Sequence, residues 1–212
     1  MKARLTVVAA FCACWLNGQQ TAPQPEGPTI PKLTDVNQDI LNLVIHDQWD
    51  RGMDMFGGRT VRRPDAPSGD QIRKNDEERQ EAAKKLVDAG KLQSGKDFFY
   101  AALIFQHSFE GPNLILAHAL AATAAAKGEA SGRWLTASSF DRYLWSLKQP
   151  QVFGTQFSQM GGGWSMEPYD RTALSDGVRA LWCVVPLKAQ EQILEDARSG
   201  RTLSSTGIPD CH

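Results

Sequence analysis

Several features that would assign this chain quickly are missing. It has only four cysteines in 212 residues, and they form no metal-binding cluster. His46, His107 and His118 do not fall into HxxxH or HExxH spacing, so no metal site is read. There is no Gly-x-Gly-x-x-Gly or Gly-x-x-x-x-Gly-Lys phosphate loop and no Gly-x-Ser-x-Gly elbow. Nucleotide-loop and α/β-hydrolase chemistry therefore lack their usual sequence support, and no cofactor is implied. Excess charge is also missing. The formal balance is −1, where a nucleic-acid binder would show a basic face. No strand pattern of any length competes with the helical one. No apolar run is long enough to span a bilayer.

The longest apolar run is N-terminal. Lys2 and Arg4 precede the stretch from Leu5 to Leu16, which together read as the charged and apolar regions of an export signal over 1–18. The alternative is a lipoprotein anchored at Cys14. Residues 19–32 are polar and Pro-rich and read as a tether. Residues 33–212 then form one helical domain, periplasmic or secreted, with a balance of −3 once Lys2 and Arg4 are gone and with no transmembrane segment. Export leaves Cys183 and Cys211, and an even pair in an oxidising compartment reads as a disulfide.

Within the domain, apolar spacing of three and four predicts consecutive helices. Thr34 is expected to cap the first, which runs toward Arg51 with Val36, Ile40, Val44 and Asp47 on one stripe. Met53 to Ile72 reads as a solvated loop, with an anion-binding lid built on Arg59, Arg62 and Arg63 as the alternative. Asn75 with Glu78 reads as a capping box, and Glu81 with Lys85 as an exposed i,i+4 pair. Asp97 is expected to cap an apolar helix over 98–107. Gly111-Pro112 starts an Ala-rich helix that stops at Gly128. Ser131 caps a helix through Leu147 with Ala137, Phe140, Leu144 and Leu147 as its core stripe. Pro186 opens the last helix, and Gln149 to Glu167 is a loop. The fold class is all-α, a compact antiparallel bundle or a short helix-hairpin solenoid.

Four polar groups interrupt this pattern: Asp47-Gln48 with Arg51; Gln106-His107; Asp141-Arg142; and the loop Pro150-Gln151-Val152-Phe153-Gly154-Thr155-Gln156. Asp141 and Arg142 point about 100° apart on a helix and need partners on other elements. Asp141 with Arg51, or Arg142 with Asp47, are the pairings expected. His107 can act as a general base, since an imidazole titrates near neutrality, or can bond a carbonyl at a helix end. His118, among alanines and leucines, reads as a core histidine.

These groups, in this order, resemble a widespread bacterial family that shares an early Asp-Gln-x-x-Arg, a central Gln-His, an Asp-Arg and a Pro-Gln-x-x-Gly-Thr-Gln. The resemblance implies that Asp47, Gln48, Arg51, Gln106, His107, Asp141, Arg142, Gln151, Gly154, Thr155 and Gln156 are signature positions, over residues 35 to 200. It implies no reaction. Many members carry an acid-rich stretch after the His, where this chain has Ser108-Phe109-Glu110-Gly111 with one acid.

Three functional readings follow. In the first, the domain binds a small molecule or an envelope protein through Gln48, Arg51, Gln106, Arg142, Gln151, Thr155 and Gln156, with Trp134 and Trp145 lining a groove. In the second it is a hydrolytic enzyme, with His107 as base, Asp47 or Asp141 as orienting acid and Arg51 or Arg142 as anion clamp. In the third the polar groups only lock the core.

Overall fold

Helix α1, Gln38–Asp50, begins where Asn37 turns its side chain onto the chain ahead: Asn37 Oδ1 accepts from the amides of Asp39 and Ile40 at 2.9 and 3.2 Å. The cap is therefore Asn37 and not Thr34, because Asn37 is the residue whose side chain reaches the free N–H groups of the first turn. Ile40, Leu41, Val44 and Ile45 of α1 are buried. The structure, a computed structural model, describes residues 27–28, 30–55, 59–60, 65–160 and 163–201.

Helix α2, Gly69–Asp88, starts well before the expected position. Ser68 Oγ accepts from Gln71 N at 3.3 Å, which makes Ser68 the cap. Asn75 lies inside the helix instead, and its Nδ2 donates to Asp50 Oδ2 at 2.8 Å. The loop read over Met53–Ile72 is correspondingly shorter, and strands β1 (Met53–Asp54) and β2 (Arg59–Thr60) pair antiparallel within it. Arg62 and Arg63, and the side chain of Arg59, lie outside the described residues.

Helix α3, Gly95–Phe105, has a full capping box. Ser94 is the cap and Asp97 is the third helical residue that bonds back to it. Asp97 Oδ1 also accepts from Asn37 N at 2.7 Å, which ties the start of α1 to the start of α3. Asp97 thus acts within the first turn and not as the cap itself. Helix α4, Gly111–Ala126, carries Pro112 in its first turn as expected. Its alanines allow helix α5, Ser131–Ser146, to come close. At Gly132 a Cβ would sit 2.6 Å from Ala125 N and 2.8 Å from Ala121 O, so no larger residue fits there.

Of the stripe expected to be the core of α5, only Ala137 is fully buried. Leu147 is half exposed and Phe140 and Leu144 are only partly buried, whereas Ser138, Ser139 and Asp141 are fully enclosed. Polar satisfaction outweighed hydrophobicity on this helix: Ser139 Oγ donates to Leu135 O at 2.7 Å, and Asp141 holds a loop. The main core joins α1, α3, α4 and α5 through Ile40, Val44, Ile104, Ala117, Ala121 and Leu135.

Past α5 the chain forms strands β3 (Ser158–Met160) and β4 (Gly163–Ser165), an antiparallel pair. Helix α6, Asp176–Leu181, and helix α7, Leu187–Arg198, follow. Met166, Tyr169 and Leu194 build a second, smaller core with Phe157, Trp164 and Leu187. Among the described residues the fold is mostly helical, with two short antiparallel strand pairs. Among the described residues no helix is long and apolar enough to cross a membrane. Cys183 is buried, and its expected partner Cys211 lies outside the described residues, as do the signal over 1–18 and the tether up to residue 26.

Candidate functional site

The C-terminal turn of α1, the polar face of α2 and the end of α3 meet around one carboxylate. Asp47 is fully buried. Its Oδ1 lies 3.1 Å from His107 Nδ1 and accepts from Arg51 Nη1 at 3.0 Å, while Oδ2 accepts from Gln48 Nε2 at 2.7 Å. A carboxylate only accepts, so the neutral His107 ring carries its proton on Nδ1 and its lone pair on Nε2, which is buried. The spacing of Asp47 and Arg51 puts them one helical turn apart, which is why the pair was visible in the sequence.

Arg51 extends the array. Its Nη2 donates to Asp76 Oδ2 at 2.7 Å, Asp76 Oδ1 accepts from Arg79 Nη1 at 3.2 Å, and Arg79 Nη2 donates to Asp50. Acids and bases alternate from His107 through Asp47, Arg51, Asp76 and Arg79 to Asp50. Asp76 and Arg79 were missed by the sequence reading. Residues 76, 79, 80 and 83 are the buried positions of α2 and recur at helical spacing, so a polar stripe at core spacing was the available signal.

Burial sets the charges of this array. His107 is desolvated, which favours the neutral ring. Asp47 opposes that shift and the Arg51 and Arg142 cations add to it, so the pKa falls from 6.5 to about 4. Burial likewise works against the Asp47 charge, but His107, Arg51 and the Gln48 amide overcome it and hold Asp47 below the ordinary carboxylate value. At neutral pH the pair is a carboxylate with a neutral imidazole. Desolvation pushes Asp76 upward in spite of Arg51.

His107 and Asp76 both face an open cleft of about 380 Å³ between α2 and the corner joining α3 to α4. Phe105 and Phe109 supply its apolar surface, and Gln80, Ser108 and Asn113 its neutral polar surface. Its volume is that of a small-molecule site. Asn113 Nδ2 donates to Gln80 Oε1 and to Ser108 Oγ, each at 3.2 Å, bridging α4 to α2 across the cleft.

The other polar residues singled out in the sequence form a closed knot beside this array. Asp141 accepts the amides of Val152, Phe153 and Thr155 at 2.8–3.0 Å and the Thr155 hydroxyl at 2.8 Å. Burial pushes its pKa up, against these hydrogen bonds. Gln151 and Gln156 bond each other: Gln156 N donates to Gln151 Oε1 and Gln151 Nε2 to Gln156 O, both at 2.9 Å. Gln151 Nε2 also donates to Met166 O. Gly154 has φ 81°, and a Cβ there would strike Gln190 Oε1 and the Tyr169 hydroxyl. Arg142 joins the two regions, donating from Nη1 to Gln106 O at 2.7 Å and from Nε to Gln156 Oε1 at 3.1 Å.

The structure therefore brings Asp47, Gln48, Arg51 and His107 together, with Arg142 adjacent. Asp141, Gln151, Thr155 and Gln156 have their polar groups taken up by the loop over 150–156, by Met166 O and, for the Gln156 side chain, by Ser138 and Arg142 of α5. The expected pairings of Asp141 with Arg51 and of Arg142 with Asp47 do not form, because backbone amides and a carbonyl satisfy those charges locally. Gln106 is fully buried and its side-chain amide makes no hydrogen bond among the described residues. His118 donates from Nδ1 to Thr136 O at 3.1 Å, bridging α4 and α5. Trp134 packs against the main core, and neither it nor Trp145 lines the cleft. Among the described residues no group of three or more His, Cys, Asp or Glu is placed to hold a metal ion. Compared with known proteins, the chain matches no family model, no curated protein and no solved structure.

Proposed function

We propose that this is an exported domain, an antiparallel array of helical hairpins, that binds a small polar molecule in the cleft between α2 and the α3–α4 corner. The observation that carries the reading is the floor of that cleft: a buried His107 oriented by a buried Asp47 at 3.1 Å, next to Asp76. A buried ionic array of this kind is costly to desolvate, and an apolar core would serve stability equally well. Its exposure to a cavity on one side supports a ligand-facing role. Arg51 reads as the group that holds Asp47 and Asp76 in place, since both of its terminal nitrogens are engaged. Asp141 and the Gly-Thr-Gln loop read as the support behind the site.

A thermal-shift screen of polar metabolites against the wild type and His107→Gln tests this. We expect ligands that raise the wild-type melting temperature by 2 °C or more, an effect of order 1 kcal/mol at this size, and that lose the effect in the variant. Ligands that stabilise both proteins equally contradict it.

The Asp47–His107 geometry also favours a second reading, hydrolysis. A neutral ring with its Nδ1 proton on Asp47 keeps its basic lone pair on Nε2; that atom is buried beneath the cleft surface, so general-base action requires substrate binding to open it to a water. In that case Asp47→Asn lowers turnover by roughly 100-fold or more while ligand binding persists, since general-base assistance contributes ~10²–10⁴-fold. Equal losses of turnover and binding contradict it.

A further inference from the structure

The charges around the cleft bear on what it takes, given the proposal that it is a ligand site. Four carboxylates line it, Asp76, Glu77, Glu81 and Glu110, against the cations Arg73 and Lys84. Both cations are already paired with acids outside the cleft: Arg73 Nη2 lies 3.3 Å from Asp70 and Lys84 Nζ 2.7 Å from Asp88. Asp76 is held by Arg51 and Arg79, and Glu81 by Lys85 at 2.8 Å. Glu77 and Glu110 are exposed and make no ion pair among the described residues. The N-terminus of α4 opens toward the cleft with about half a positive charge, and Glu110 at the N-cap opposes it. His107 adds no charge at neutral pH.

The inner wall is different. Gln80 is only 8% exposed. Its Oε1 is taken by Asn113, and its Nε2 has no partner among the described residues. Ser108 Oγ accepts from Glu110 N at 3.1 Å and from Asn113 at 3.2 Å, which leaves its own proton to donate. Donors therefore sit deep and unpaired carboxylates sit at the mouth. Phe109, 64% exposed, stands at the rim with its ring available to an apolar stem or a cation.

We infer that the cleft takes a small cation, an amine or guanidinium, that also carries a neutral carbonyl or hydroxyl oxygen and no free carboxylate. The cation lies between Glu77 and Glu110, and the oxygen accepts from Gln80 and Ser108. His107, backed by Asp47, then lies beneath the polar end of the ligand.

Three probes with one side chain isolate the charge: phenylalanine amide, a cation with a carbonyl; N-acetylphenylalanine amide, neutral; and N-acetylphenylalanine, an anion. Each is titrated into ¹⁵N-labelled protein and followed by the backbone amides of Glu77, Gln80, Ser108, Glu110 and Asn113. The expected result is that phenylalanine amide shifts these amides, binds at least fivefold more tightly than the neutral probe, and weakens severalfold at 0.5 M salt, because exposed charges are screened there. The double variant Glu77→Gln/Glu110→Gln loses that preference and keeps its melting temperature, since both side chains are exposed. Equal or tighter binding of the anion at these amides overturns the charge assignment while leaving the cleft as a ligand site. Shifts of equal size from all three probes overturn it in the same way. No shift from any probe overturns it together with the cleft reading.

Discussion

At the scale of single residues, the proposed site rests on a neutral imidazole fixed by a buried carboxylate. His107 has a pKa of about 4 because burial penalises the charged ring more than Asp47 rewards it. A group whose folded pKa lies below its unfolded value supplies stability that is present above the unfolded pKa, near 6.5, and is lost as pH falls toward the folded value. Acidification from pH 6.5 to 4 therefore draws on this residue. We expect the His107 ring resonances in an NMR titration to stay flat from pH 8 to pH 5.5; a midpoint near 6.5 contradicts the burial argument. Gln106 offers a second test. An unmade buried hydrogen bond costs about 1–3 kcal/mol, and an apolar side chain of similar shape removes that cost. Gln106→Leu is expected to leave the melting temperature unchanged or to raise it, and a fall of several degrees would show that the amide is bonded after all. Asp47, Arg51 and His107 were legible in the sequence because polar residues stood at core spacing in apolar helices. Asp76 and Arg79 were not, because taking Asn75 as a cap placed them in the first turn of a helix, where charges are unremarkable.

Among the elements, Asp141 does more for a loop than for a site. One carboxylate collects three consecutive-region amides and a hydroxyl, so it takes the place of the hydrogen bonds that a strand or helix would give residues 152–155. Asp141→Ala strands those donors, and we expect a loss of at least about 3 kcal/mol together with fast hydrogen exchange at Val152, Phe153 and Thr155. Unchanged exchange at those amides counts against the clamp. The α4–α5 contact makes a separate demand. Gly132→Ala drives a methyl into the α4 backbone, with an expected cost of about 1–3 kcal/mol, read as a lower melting temperature. The helices themselves were largely legible, since stops such as Gly90 and Gly128, both at positive φ, bracket them clearly. Their starts were less so: Ser68-Gly69-Asp70-Gln71 carries a capping pattern hidden behind a Gly- and Pro-rich stretch, and the short hairpins have too few residues to show alternation.

In the whole molecule, a helical core and a smaller C-terminal core meet at the loop that Asp141 holds, and the ionic array runs along the α1–α2 contact between two clefts. Arg79 and Asp50 line the second, of about 410 Å³, and Asp76 and His107 the first. Export and a Cys183–Cys211 bridge remain our proposals for how the domain is delivered and fastened. A bridge predicts no free thiol in the unfolded mature chain and a lower melting temperature after reduction, as disulfides contribute ~2–4 kcal/mol; two free thiols would refute it. The central claim is that the Asp47–His107 floor serves a ligand in the first cleft. Soaking crystals of the full mature chain with a library of polar fragments tests this most directly. We expect fragment density against His107, Gln80 and Ser108 in the first cleft. Fragments that cluster on other surfaces and leave this cleft to water would contradict it.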